Sequence, residues 1–210
     1  MHVTAIFDVL SHWCLAAWPA FESARNELGK ENAELRLAPI LNGFPMGVPA
    51  QAERWFYQRG SRAYATSFRA DWYEDERTTT LWANAAVYAA SLLGADLAQT
   101  AHGVMTAAMR NGELLGRRTV AIDVAARISN TDREAIAGLI ESAAVGKFLN
   151  DANAELARWQ CDERPSWRLE NSNGDWITLK GVWQAETIRS CLSALAADER
   201  AYAQAGAPPF

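Results

Sequence analysis

Cysteine is scarce in this 210-residue chain: Cys14, Cys161 and Cys191 are far apart, odd in number and form no C-x-x-C pair. That excludes a disulfide framework and a zinc knuckle. Histidine is equally sparse, with His2, His12 and His102 not spaced as ligands, so no metal is expected. No apolar run approaches the ~20 residues that span a bilayer, so no membrane partner is expected. Positive charge is in deficit, 20 Lys+Arg against 25 Asp+Glu, for a formal charge of −5. Non-specific nucleic-acid binding needs a basic face that displaces counterions, so it is not expected either. Residues 1–10 lack a basic segment followed by a long apolar stretch, and the expected location is the cytoplasm. What is present is the balance of a globular protein, half hydrophobic and 21% charged, with a high count of nine Trp.

The pattern opens strand–helix–strand. Residues 3–10 carry Val3, Ile6, Phe7, Val9 and Leu10 and read as a buried strand. Leu15, Trp18, Phe21 and Leu28 then fall near helical spacing up to Gly29, with a kink expected at Pro19. Residues 33–41 read as a second strand, followed by a loop punctuated by Gly43, Pro45, Gly47 and Pro49. From about residue 50 to 160 the pattern is helical. Expected helices cover 81–97, 101–110, 120–128 and 132–142, the last with a Thr131-x-x-Glu134 capping box. Another, capped by Asn150 or Asp151, runs to about Trp159. Two short β runs, 166–170 and 176–179, flank an Asn173-Gly174 hairpin signal, and a last helix covers about 184–203 with Ile188, Cys191, Leu192 and Leu195 on one face. The tail 205–210 is expected to be non-helical. This order predicts a small α/β domain, residues 1–48 and 161–210, split by a helical lobe over 49–160.

Two local features fit that order. Asp8-Val9-Leu10-Ser11-His12-Trp13-Cys14 lies where the first strand meets the first helix, and Arg164-Pro165-Ser166 just precedes the third strand. With them the chain resembles the DsbA-like thioredoxin-fold superfamily. The branch it is most similar to holds kappa-class glutathione transferases, 2-hydroxychromene-2-carboxylate isomerases and FrnE-type oxidoreductases. Asp-Val-Leu-Ser is similar to the start of the glutathione-dependent motif, and Trp13-Cys14 to the second half of the dithiol motif. The resemblance implies an α/β thioredoxin-like fold interrupted by an all-helical insertion. It also implies a cis Pro165 facing the Ser11 turn, a Trp13 pointing into the substrate cleft, and glutathione or another low-molecular-weight thiol as cofactor.

The residues themselves narrow the chemistry. Ser11 stands where a dithiol enzyme carries its attacking cysteine, and a hydroxyl cannot take part in thiol–disulfide exchange. At a helix N-terminus its hydroxyl, with the free N–H groups there, suits a bound thiolate; the alternative role is a helix N-cap. His12 is a candidate acid/base. Cys14 is a reactive thiol at a helix start or a packing residue. Arg164 is a solvated arginine or a cation for a substrate carboxylate, Pro165 places backbone beside a ligand, and Trp183 stands with Val182 where the glutathione-dependent branch shows a polar pair. Cys161 is near enough in sequence to Pro165 to approach the turn. Trp55, Phe56, Tyr57, Tyr64, Phe68, Trp72, Tyr73 and Trp82 serve as lobe core or as the wall of an aromatic-substrate cleft, with Arg54, Arg59, Arg62, Arg69 and Arg77 interleaved. The leading expectation is thiol-assisted isomerisation, transfer or redox chemistry on a small aromatic substrate, with Ser11 stabilising the thiolate. The competing expectations are a monothiol disulfide oxidoreductase acting through Cys14 and a non-catalytic protein that binds a ligand in the cleft. A homodimer stays open.

Overall fold

A computed structural model describes residues 1–206. Strand β1 (His2–Phe7) sits inside a four-stranded sheet of order β2-β1-β3-β4, where β2 is Ala33–Leu37, β3 Ser166–Glu170 and β4 Trp176–Lys180. β1 runs parallel to β2, with Ala5 opposite Leu35, and antiparallel to β3, with Ala5 opposite Trp167. β3 and β4 form the expected hairpin. β1 is buried on both faces from Val3 to Phe7, which explains its nearly continuous apolar run.

β1 stops at Phe7 rather than at Leu10. The Asp8 carboxylate accepts hydrogen bonds from the backbone N–H of Leu10 and of Ile40, both at 2.7 Å, and bends residues 8–11 into a buried turn. β2 likewise ends at Leu37 rather than near residue 41. Pro39 has no N–H to continue the ladder, and Leu41 and Asn42 adopt left-handed φ of 51° and 55°.

Helix α1 (His12–Leu28) crosses the sheet and is unbroken through Pro19, whose ring faces solvent. Its apolar side meets the sheet in an aromatic cluster: Phe7 lies edge-on to Trp167 at 5.3 Å and to Phe21 at 6.0 Å, and Trp18 lies 5.3 Å from Phe21. Burying each such ring stabilises the fold by ~1.5–3 kcal/mol. α8 (Ala185–Ala205) packs on α1 and β3 through Ile188, Leu192 and Leu195, with Cys191 only half-buried. It takes in Ala205 of the tail expected to be non-helical, and the call on residues 207–210 lies outside the described residues.

Between β2 and β3 the chain forms α2 (Ala50–Ala63), α3 (Leu81–Leu92), α4 (Leu97–Met109), α5 (Arg118–Ser129), α6 (Arg133–Leu139) and α7 (Ala143–Arg158). α3 is alanine-rich, and Ala83, Ala86, Ala89 and Ala90 are fully buried where α4 and α5 press against it. The helix expected over 81–97 ends at Leu92, and the next, expected from residue 101, begins at Leu97, because Gly94 takes a φ of 96° and Asp96 caps α4. The cap of α6 is Asp132, which accepts from the Ala135 N–H at 2.7 Å, while the Thr131 hydroxyl pairs with Ser129. α7 begins at Ser142, which accepts from the Val145 N–H, two turns before the expected Asn150 or Asp151. The result is the expected α/β sheet domain with an inserted helical block.

Candidate active site

The N-terminus of α1 opens into a cavity of about 420 Å³ lined by Ser11, Trp13, Ile40, Arg59, Asp162, Glu163, Arg164, Gly181 and Trp183. Ser11 is the N-cap by backbone geometry, yet its side chain makes no capping hydrogen bond. Its carbonyl accepts from the N–H groups of Cys14 and Leu15. The hydroxyl is therefore not spent on the helix's backbone N–H groups; its contact there is with the Cys14 thiol.

Trp13, Trp183 and Tyr64 form an aromatic group at this cavity. Tyr64 and Trp183 are 4.0 Å apart between ring centroids, Trp13 and Tyr64 5.5 Å, and Trp13 and Trp183 6.3 Å. Of the other aromatics singled out in the sequence, Tyr57, Phe68, Trp72 and Tyr73 are buried core residues, and Trp55 and Phe56 are exposed. The Tyr57 hydroxyl donates to the Leu10 carbonyl and accepts from the Trp72 indole at 2.9 Å, tying α2 to the turn before Ser11.

His12 does not reach the cavity. It is 5% exposed, its ring packs against Tyr57 at 4.4 Å and Trp13 at 4.7 Å, and its Nε2 has no partner. The imidazole fits because residue 60 is glycine: a Cβ there would lie 2.4 Å from Nε2. Burial, with the nearby Arg59 charge, lowers the His12 pKa to about 4, so the ring is neutral at physiological pH. This placement does not support the acid/base role expected of it.

Cys14 is fully buried. Its Sγ accepts from the Asp8 N–H at 3.4 Å, and burial pushes the thiol up to about 12 despite that bond, the Ser11 hydroxyl and the Arg164 charge. A thiol so rarely ionised is a poor nucleophile, and the mixed-disulfide role expected of Cys14 finds no support in this geometry. Cys161 does not join the Ser11 cavity. It lines a neighbouring one of about 560 Å³ between residues 40–42 and α7.

The Arg164–Pro165 peptide bond is cis, as the resemblance implies. Pro165 is buried, and its carbonyl accepts from the Gly181 N–H at 2.9 Å. Arg164 stands in the wall shared by the two cavities. Its guanidinium donates to the carbonyls of Ala38 (3.0 Å), Pro39 (3.1 Å) and Asp162 (3.0 Å) and to the side-chain oxygen of Asn153 (2.6 Å). An arginine has five N–H donors, so little of the fork is left for a bidentate substrate carboxylate. This corrects the expectation of a free carboxylate-binding cation.

The sequence offers Arg59 only as one of five arginines interleaved with the aromatics, and does not single out Asp162, Glu163 or Ile40. Arg59 is exposed, rests over Trp55 and Phe56, and lines the cavity from α2. Asp162 is ion-paired with Lys180, and Glu163 lies against Gly181. Their only sequence signal is proximity to Pro165 for the acids. For Arg59 there is none, because the fold brings it to the cavity from a distant helix. Among the described residues no cluster of His, Cys, Asp or Glu could hold a metal ion. No helix among them is long and apolar enough to cross a membrane.

No family model matches the chain, and no curated protein matches it. Solved structures do. The cytosolic disulfide reductase DsbM from Pseudomonas aeruginosa superposes with a TM-score of 0.70 at 20% identity, over 92% of this chain and 98% of that one. A 2-hydroxychromene-2-carboxylate isomerase superposes at 0.62 with 15% identity, over 99% and 100%. The oxidoreductase NmDsbA1 from N. meningitidis superposes at 0.56 with 13% identity, over 97% and 85%. The chain has the DsbA-like thioredoxin fold. Within that fold, the start of α1, the segment before the cis Pro165 and the segment between β4 and α8 meet around the cavity just described. The general chemistry of such neighbours is thiol redox or isomerisation.

Proposed function

We propose that this DsbA-like protein is an enzyme that binds a low-molecular-weight thiol, with glutathione as the first candidate, and uses it on a small aromatic substrate. The observation that carries the reading is the Ser11 side chain at the N-terminus of α1, which makes no capping bond and lines a cavity walled by Trp13 and Trp183. Helix N-terminal N–H groups and a hydroxyl together favour a thiolate over a thiol. Arg59 and Glu163, of opposite sign in the same cavity, are partners for the carboxylate and ammonium of an amino-acid-like thiol. They stand in for the polar pair that Val182 and Trp183 replace. A DsbM structure with bound GSH is among the neighbours and supports the choice of probe.

In the isomerase form of the chemistry, the thiolate adds to an electron-poor double bond, forming a C–S bond while the adjacent carbon takes a proton. The former double bond then rotates. Loss of that proton and cleavage of the C–S bond restore the alkene and the thiolate, so nothing is consumed. The aromatic group at Trp13, Tyr64 and Trp183 suits stacking of a flat substrate. The three free cysteines and the cytosolic DsbM neighbour support a reducing compartment, the cytoplasm.

The test is turnover of aromatic α,β-unsaturated carbonyl compounds with and without glutathione. Thiol-dependent turnover that falls at least about tenfold in Ser11→Ala supports the reading, as that loss corresponds to one hydrogen bond to a charged group. Efficient insulin reduction with a dithiol, lost in Cys14→Ser, would overturn it.

A further inference from the structure

Arg164 combines a fixed position with a charge that no carboxylate hydrogen-bonds. All four of its hydrogen-bond partners are neutral: the carbonyls of Ala38, Pro39 and Asp162 and the amide oxygen of Asn153. These acceptors come from the end of β2, from α7 and from the segment before Pro165, so the guanidinium is braced from three directions. A largely desolvated cation is costly unless it meets negative charge. Of the acids near it, Asp8 and Asp162 favour its charge through space but give it no hydrogen bond. The Asp162 carboxylate is paired with Lys180. The Asp8 carboxylate is buried and takes the backbone N–H groups of Leu10 and Ile40. Glu163 lies over Gly181. Of the other titratable groups around the cavity, His12 is neutral, Cys14 is an un-ionised buried thiol, Cys161 faces the neighbouring cavity, and Arg59 adds a second, exposed positive charge from α2. The Arg164 charge reaches the first turn of α1, where it favours ionisation of the Cys14 thiol against the larger opposing effects of burial and of Asp8.

We infer that Arg164 serves the site as a fixed charge that stabilises the ligand's thiolate beside Ser11, and not as a fork that grips the ligand's carboxylate. The inference rests on the thiol-binding reading above. Its physical basis is preorganisation. The guanidinium is held by acceptors that need not move when the thiolate forms, so its field acts without reorganisation. The chemical consequence is a bound thiol that ionises below its free value, as a positive charge lining the same cavity favours. Ser11 supplies the short-range hydrogen bond and Arg164 the longer-range charge.

The experiment titrates the protein with glutathione and with S-methylglutathione between pH 6 and 9.5, by calorimetry or tryptophan fluorescence. S-methylglutathione keeps both carboxylates but has no ionisable thiol. In Arg164→Gln the pH midpoint for thiolate binding should rise by about one unit, equivalent to ~tenfold weaker glutathione binding at pH 7, while S-methylglutathione binds within about twofold of wild type. Equal losses for both ligands, or an unmoved midpoint in a folded variant, would overturn the inference. If Arg164→Gln does not fold, Arg164→Lys decides the matter. It keeps the charge and loses the fork, so the midpoint should stay within about 0.3 units of wild type; a rise of a full unit would reject the charge role. Wild-type protein that binds neither ligand would instead reject the thiol-binding reading itself.

Discussion

Gly60 and His12 are in contact through the absence of a side chain: a Cβ on Gly60 would fall 2.4 Å from His12 Nε2 and 2.3 Å from Cδ2. The imidazole has no room to retreat, with Tyr57, Trp13 and Phe68 around it. Gly60→Ala should therefore destabilise the protein by about 1–3 kcal/mol, the usual cost of overpacking. In a His12→Ala background the same change should be neutral or stabilising, since alanine is the better helix former by ~1 kcal/mol. Urea unfolding of the four proteins checks this. Additive effects would show that the two residues do not share one space.

Stability should pass through a maximum in mildly acidic solution, set by two buried groups with opposite pH dependence. The His12 pKa is lowered from 6.5 to about 4 by burial, so its contribution is fully present above 6.5 and is lost as pH falls through about 4. Glu53, 8% exposed, is raised from 4.5 to about 7 by burial and by Asp8, so its contribution is fully present below 4.5 and is lost as pH rises through about 7. Each is on the order of 2 kcal/mol across its window. Glu53→Gln should raise stability at pH 8 and leave it nearly unchanged at pH 4.5. Denaturation at pH 4.5, 6 and 8 gives the comparison.

Ser11→Ala should separate binding from folding. A capping serine is worth ~1 kcal/mol, but the Ser11 side chain makes no cap bond. The expected loss of stability is below about 0.5 kcal/mol, alongside a loss of glutathione binding of about tenfold or more. A large drop in melting temperature without a change in binding would return Ser11 to a structural role.

Cys14 should resist alkylation in the native state. The thiol is fully buried and un-ionised at neutral pH, whereas Cys191 is half-buried on α8. With iodoacetamide at pH 8, mass spectrometry should find Cys191 labelled first and Cys14 only on unfolding. Rapid labelling of Cys14 would revive the monothiol mechanism.

Much of the architecture was legible because it depends on local pattern. The run Val3–Phe7, the alternation of Leu35 and Leu37 and the Asn173-Gly174 turn each specify their own element. The cis Pro165 came from resemblance rather than from pattern. Boundaries failed where one side chain settled the matter: Asp132 displaced Thr131 as the cap of α6, Ser142 started α7 early, and Gly94 broke the helix drawn through it. The site was half legible. Ser11, Trp13, Arg164 and Trp183 do meet at one cavity, but the state of His12 depends on a missing Cβ in α2, and Arg59 arrives from that same distant helix. No local rule carries such information.

The Asp8 carboxylate has a wider consequence. One oxygen holds the Leu10 N–H and the other holds the Ile40 N–H, so the loop leaving β1 and the loop leaving β2 hang from a single carboxyl group. Two stretches of chain separated by a whole helix are thereby fused into one stiff rim. Amide hydrogen exchange at these positions would register a single opening event rather than two.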